Sequence, residues 1–163
     1  MSAISPPSAT ALGTNSSVRY FLDTEFNGFG GALISLALVP EDREAAPFYE
    51  ALACENPIPW VAEHVLPVLA ATPIAARELS RRLRDYLADD PWPVLVADWP
   101  EDIAHAARAM ITSPGRRIAL DRVGFELCDA FGFDSGMSAV PHNAYHDAVA
   151  LRDFMLRREA ADR

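Results

Sequence analysis

Cysteine is scarce in these 163 residues: only Cys54 and Cys128 occur, far apart and in no Cys-x-x-Cys spacing. This argues against a cysteine zinc site or a disulfide framework and fits a reducing cytoplasm. No apolar run approaches the roughly 20 residues that a membrane-spanning helix needs; "GGALISLALVP" is strand-sized. The N-terminus lacks the basic start and apolar core of a secretory signal. Its small, polar and Pro-containing residues, "MSAISPPSATALGTNSS", predict a disordered tail over residues 1–17. Positive charge is short as well, with 14 basic against 23 acidic residues and a net charge of −9. Proteins that grip duplex nucleic acid through its phosphates are usually basic, so this balance does not favour that mode. Carboxylates gathered around divalent cations invert the local charge, so action on a phosphate stays open. The basic runs "RELSRRLRDY", "GRRIALDR" and "LRDFMLRREAADR" read as solvated helix faces or loops.

What remains is ordinary globular composition, 50% hydrophobic and 23% charged, long enough for one domain with a real core, residues 18–163. "VRYFLDTEF", "ALISLALV" and "PFYEALA" are β-rich runs separated by short turns, which predicts an antiparallel meander. "WVAEHVLPVL" reads as a short helix broken at Pro67. "TPIAARELSRRLRDYLADD" reads as a helix capped by Thr72 with Pro73 at its first position and an apolar stripe of Ala75, Leu79, Leu83 and Leu87. "VLVA" is a short buried strand, parallel inside a sheet. "EDIAHAARAMI" and "RVGFELCDAF" read as helices, "GFDSGMSAVP" as a loop, and a last helix starts near Pro141. The economical packing is α/β: a mixed sheet, antiparallel meander plus parallel strands, flanked by helices.

Three places carry residues with chemistry. Asp23 and Glu25 are two apart at the end of the first strand, so both point to one face. Neighbouring carboxylates are costly without a cation, although a solvent-facing turn is the plainer reading of this pair alone. Asp98 and Asp102 flank a strand–helix junction, where helix capping is the plainer reading. Asp147 lies early in the last helix, five residues after His142 in "PHNAYHDAVALRDF".

Taken together, this order resembles the DnaQ-like 3′–5′ exonucleases with a final histidine, the DEDDh group. "DTEF" is similar to their first motif, Asp-x-Glu. "ADWPEDIAHAA" is similar to the second, in which an aspartate opens a helix; it departs from many relatives, which have Phe-Asp where this chain has Glu101-Asp102 with an extra Asp98 nearby. Asp102 is preferred, because "DIAHAA" continues as a helix much as the family's motif does, and Asp98 is the reserve. "HNAYHDA" fits the third, His-x-x-x-x-Asp, with His142 and Asp147; the tyrosine variant does not fit, since Tyr145 is two residues from Asp147. The similarity runs from about Val18 to Met155. "RYFLDTEF" and "WVAEHVLPVL" also resemble small bacterial exoribonucleases of the RNase AS type, which favour adenylate-rich RNA.

The resemblance implies an RNase H-like fold and a metal-dependent 3′–5′ exonuclease that releases nucleoside 5′-monophosphates from single-stranded RNA or DNA 3′ ends. Two ions, Mg²⁺ or Mn²⁺, would be held by Asp23, Glu25, Asp102 and Asp147. Such ions take oxygen ligands and stabilise the attacking and leaving oxygens. His142 would take the proton from water; His146 competes for that role, but as a neighbour of the ligand it points about 100° away around the helix axis. His64 and His105 read as structural or surface histidines. Phe26 is the substrate-binding candidate, as an aromatic beside the metals that can stack on a terminal base. Core packing is the other reading of Phe26, Phe29 and Trp99. The residues do not select RNA over DNA; the closer resemblance favours RNA. Relatives of this size are often homodimers, and the sequence marks no interface. The rival of another class is a catalytically silent nucleic-acid-binding module of the same fold.

Overall fold

A computed structural model describes residues 17–163, so the tail expected over residues 1–17 lies outside the described residues except for Ser17. The chain runs β1 (Val18–Phe26), β2 (Leu33–Pro40), β3 (Phe48–Ala51), α1 (Pro59–His64), a 3₁₀ turn (Leu66–Val68), α2 (Ala76–Leu87), β4 (Pro93–Ala97) and α3 (Pro100–Ala109). A small hairpin of β5 (Ile111–Ser113) and β6 (Arg116–Arg117) follows, then β7 (Gly124–Leu127), a second 3₁₀ turn (Ser135–Met137) and α4 (Ala144–Ala161). Five strands form one sheet in the order β3-β2-β1-β4-β7. β1, β2 and β3 are antiparallel neighbours, while β4 and β7 run parallel to β1. The architecture is α/β, with a mixed sheet flanked by helices in an RNase H-like arrangement.

The strand period of two sorts β1 between two cores. Tyr20 and Leu22 face α2 and α3, packing with Leu36, Leu38, Leu83 and Leu95. Phe21 faces α4 and packs with Val39, Ala148 and Leu151. Asp23 and Glu25 continue the Phe21 series and so turn toward α4. α4 is held in register at the start of β1. Arg19 donates to Glu41 and to Glu159, near the helix C-terminus. From Arg19 to Glu25 the strand rises about 20 Å. From Glu159 back to Asp147 the helix spans about 18 Å. The lengths match, so pinning one end delivers Asp147 to the end of the strand that carries Glu25.

Three sequence expectations need correction. Gly124–Leu127, in the middle of "RVGFELCDAF", is an edge strand rather than a helix, because pairing with Val94–Ala97 of β4 outweighs the local pattern. α2 starts at Ala76, not at Pro73, and Thr72 is not its cap. Ile74 is instead held extended by a parallel bridge to Leu52, with its N–H on the carbonyl of Ala51. Ala75 consequently lies outside the helix and exposed, leaving Leu79, Leu83 and Leu87 as the buried stripe. The last helix begins at Ala144, three residues after Pro141, because Asn143 caps it. The short helix before Pro67 and the helix after β4 occur where expected.

Leu83 is fully buried between α2 and the sheet. Leu83→Ala should destabilise the fold by roughly 2–5 kcal/mol, lowering the melting temperature by about 4–20 °C. Leu127→Ala, at a residue 54% exposed on the edge strand, should cost less than about 1 kcal/mol in the same thermal melt. Equal losses would contradict this assignment of the core.

Candidate metal and active site

Five carboxylates converge where β1 and β4 end. Asp23 and Glu25 come from β1, Asp98 from the turn that leaves β4, Asp102 from the first turn of α3 and Asp147 from the first turn of α4. They form two groups. Ligating atoms of Asp23, Asp98 and Asp102 lie within 4.8 Å of one another, as do those of Glu25, His142 and Asp147. All four carboxylates expected as ligands are therefore together, with His142 beside them. Asp98, held in reserve for Asp102, stands in the same group rather than in its place. His146 belongs to neither group.

Each member is placed by its backbone. Asp102 is 3% exposed; its Oδ1 accepts from the Thr24 hydroxyl at 2.6 Å and from the Thr24 N–H at 3.1 Å, tying α3 to β1 between the two strand carboxylates. His142 sits in left-handed backbone with φ of 66°, a conformation few non-glycine residues adopt. Its N–H donates to Asp147 Oδ2 at 3.0 Å. Asn143 is buried and extended at the α4 N-cap, where its Oδ1 accepts from the N–H groups of Tyr145 and His146. Its Nδ2 donates to the Val68 carbonyl, fastening the helix start to the loop after α1. Sequence reasoning missed Asn143, although an asparagine just before the last helix is a capping signal.

The electrostatics are one-sided. Among the described residues, none of the five carboxylates forms a salt bridge. Burial pushes Asp23 well above the ordinary carboxylate range, and the charges of Asp102, Glu25, Asp147 and Asp98 add to the shift. Glu25 is pushed up to about 8, by burial first and then by Asp147 and Asp102. Burial also raises Asp98, Asp102 and Asp147, with the Thr24 hydroxyl opposing at Asp102 and hydrogen bonds opposing at Asp147. Two full charges 4.8 Å apart repel by roughly 3 kcal/mol at an effective dielectric constant of about 20. Several such pairs rival the roughly 5–15 kcal/mol that keeps a domain folded. At neutral pH the cluster must therefore hold either protons or cations.

The donor set fits a hard divalent cation: carboxylate oxygens throughout, with one imidazole at the edge. Asp147 Oδ1 is buried and, among the described residues, has no partner in good hydrogen-bond geometry, although the Ser138 hydroxyl is near enough to oppose the shift of the carboxyl. Such an orphaned acceptor is costly unless something fills it.

Aromatic groups ring the carboxylates. Phe26 stacks on His105 at 4.9 Å, while Phe29 is 97% exposed and so does not pack in the core. Trp99 is exposed just ahead of α3. Trp60 stacks on His64 at 4.7 Å and turns an edge to His142 at 4.9 Å. His64 and His105, expected as structural or surface residues, stand at the rim of the site, each stacked on an aromatic ring. Sequence reasoning missed Trp60 too; only its place in "WVAEHVLPVL", at the start of α1, points there.

The raised carboxyls give pH dependence a definite sign. Between the ordinary carboxyl range and about pH 8, the native chain holds protons on Glu25 that the unfolded chain has released. Stability of the metal-free protein therefore falls as pH rises through this window. Thermal melts in EDTA should show a lower melting temperature at pH 8 than at pH 5.5. Added Mn²⁺ should raise it most at pH 8, where protons no longer compete. A melting temperature that climbs with pH in EDTA and ignores Mn²⁺ would remove the cation from this account.

No protein-family model matches the chain, and no curated protein matches it.

Proposed function

We propose that the protein is a metal-dependent 3′–5′ exonuclease acting on single-stranded nucleic acid, RNA in preference to DNA, and releasing nucleoside 5′-monophosphates. The observation that carries the reading is the convergence of Asp23, Glu25, Asp102 and Asp147, with His142 at its edge. The order of these residues along the chain also matches the DEDDh pattern. Two Mg²⁺ or Mn²⁺ ions held by the four carboxylates would supply charge stabilisation to the attacking and leaving oxygens of a phosphodiester. The carboxylates orient, and Asp98 adds negative charge beside Asp23 and Asp102. His142 accepts the proton of the attacking water through a ring nitrogen held next to Glu25 and Asp147. Trp60 and the backbone hydrogen bond to Asp147 keep that ring at the carboxylates. Phe26 offers a ring for the terminal base, beside Glu25. RNA preference rests on the resemblance to the small exoribonucleases, since no 2′-hydroxyl contact is assigned. A silent binding module would hold the same carboxylates at electrostatic cost with no reaction to serve.

End-labelled single strands with Mn²⁺ or EDTA test the reading. Digestion should start at a free 3′ hydroxyl, release 5′-monophosphates, stop in EDTA and be inhibited by a 3′-phosphate. Efficient cutting of a circular single strand would contradict it. Within the site, His142→Ala should lower kcat by roughly 10²- to 10⁴-fold with little change in KM, and His146→Ala should stay near wild type. The opposite pattern would reassign the base. Asp102→Asn should be inactive. Asp98→Asn should keep turnover but need more Mn²⁺ for half-maximal rate, because Asp98 is less buried and lacks the Thr24 bonds. Loss of all activity in Asp98→Asn alone would make it the second-motif ligand.

A further inference from the structure

On the sheet face opposite α4, a groove of about 1440 Å³ opens between α2 and α3 and is bordered at its far end by the β5–β6 hairpin. Pockets for single small molecules hold roughly 300–1,000 Å³, so this one suits a segment of polymer. Its floor is apolar, from Leu33, Leu52, Leu79 and Ile118. Five arginines stand along its walls: Arg77, Arg81 and Arg84 from α2, Arg108 from α3 and Arg117 from β6. Only Glu78 and Glu101 oppose them within the lining. In a chain of net charge −9 with 14 basic residues in all, this is a local reversal of sign. Arg81 and Arg84 are engaged by Glu78 and Asp85. Among the described residues, Arg77, Arg108 and Arg117 have no carboxylate within salt-bridge distance, and all three are exposed.

The near end of the groove is the edge of the carboxylate site. Gly30, Glu101 and His105 line it; Glu101 accepts from the Gly30 N–H at 2.7 Å, and His105 lies on Phe26. From Glu101 to Arg108 the helix rises about 10 Å, the length of about three stacked nucleotides at 3.4 Å each.

The geometry points to this groove as a track for the single-stranded substrate, holding nucleotides that lie 5′ of those at the carboxylates. The inference rests on the nuclease reading of that site and extends it to a second binding surface. Guanidinium groups bind phosphate oxygens bidentately and stack on bases, while the apolar floor takes base faces without regard to sequence. A second copy of the chain seated in the groove would cover Glu101 and Gly30 at the entrance to the carboxylates, which disfavours that occupant.

The test compares a 20-nucleotide single-stranded RNA with a trinucleotide, using the wild-type protein and the Arg77→Gln/Arg108→Gln double variant. Binding of the 20-mer is measured by fluorescence anisotropy in EDTA across a salt series; hydrolysis of the trinucleotide is measured with Mn²⁺. The double variant should bind the 20-mer about tenfold more weakly. Its log–log salt slope should be shallower by about 1.4, or about 0.7 for each phosphate no longer neutralised by an arginine. Trinucleotide kcat/KM should stay within about twofold, and Arg→Lys at both positions should restore the slope, since lysine keeps the charge on phosphate. Unchanged 20-mer affinity and slope in the variant, with trinucleotide hydrolysis intact, would overturn the track and leave the nuclease standing. A shift from dimer to monomer on light scattering with RNA affinity unchanged would also overturn it and make the groove an interface between copies. Absence of hydrolysis of both the 20-mer and the trinucleotide by the wild type with Mn²⁺ would sink the nuclease reading and the track with it.

Discussion

Mutual repulsion among five carboxylates is the constraint around which this fold is arranged. Asp23, Glu25, Asp98, Asp102 and Asp147 come from four separate elements and meet without an arginine partner among the described residues. Asp102 and Asp147 are buried and Asp23, Glu25 and Asp98 half-buried, so water screens them only in part and each is raised above its ordinary range. A chain left free to relax would turn such groups outward. This one prevents it through packing, capping and hydrogen-bond contacts, most of them made away from the charges.

Those contacts can be named. The two apolar faces of β1 fix which way its carboxylates point, because Phe21, Asp23 and Glu25 share one face and Tyr20 and Leu22 the other. The Arg19–Glu159 pair sets α4 along that strand. Asn143 sets where α4 begins, and with it the positions of His142 and Asp147. Thr24 draws Asp102 inward from α3. Gly31 lets the turn after β1 close: a Cβ there would lie 2.1 Å from the Asn27 carbonyl oxygen, an approach no other residue could make. The energy of packing and capping thus offsets an electrostatic cost concentrated at one end of the sheet, an arrangement common where charge serves chemistry.

Much of this was legible in the sequence, for identifiable reasons. Alternation in "VRYFLDTEF" gives both the strand and the shared face of Asp23 and Glu25. The stripe of Leu79, Leu83 and Leu87 gives α2. What the sequence concealed depended on distant pairing. β7 carries a pattern compatible with a helix and becomes a strand only because β4 offers an edge. The extended start before α2 depends on Leu52, more than twenty residues earlier. The choice between Asp98 and Asp102 could not be made from spacing, since both reach Asp23. The arginine groove was invisible as well: "RELSRRLRDY" and "GRRIALDR" look like separate solvated stretches until α2, α3 and the hairpin are brought side by side.

The central claim is that the carboxylate cluster exists to hold divalent cations for phosphodiester hydrolysis. Its most direct test is a crystal grown or soaked with Mn²⁺ and measured at the manganese absorption edge. The account predicts two anomalous peaks among Asp23, Glu25, Asp102 and Asp147, with at most one remaining in Asp147→Asn. Manganese absent from the cluster at millimolar concentration, or found only at scattered surface carboxylates, would contradict it.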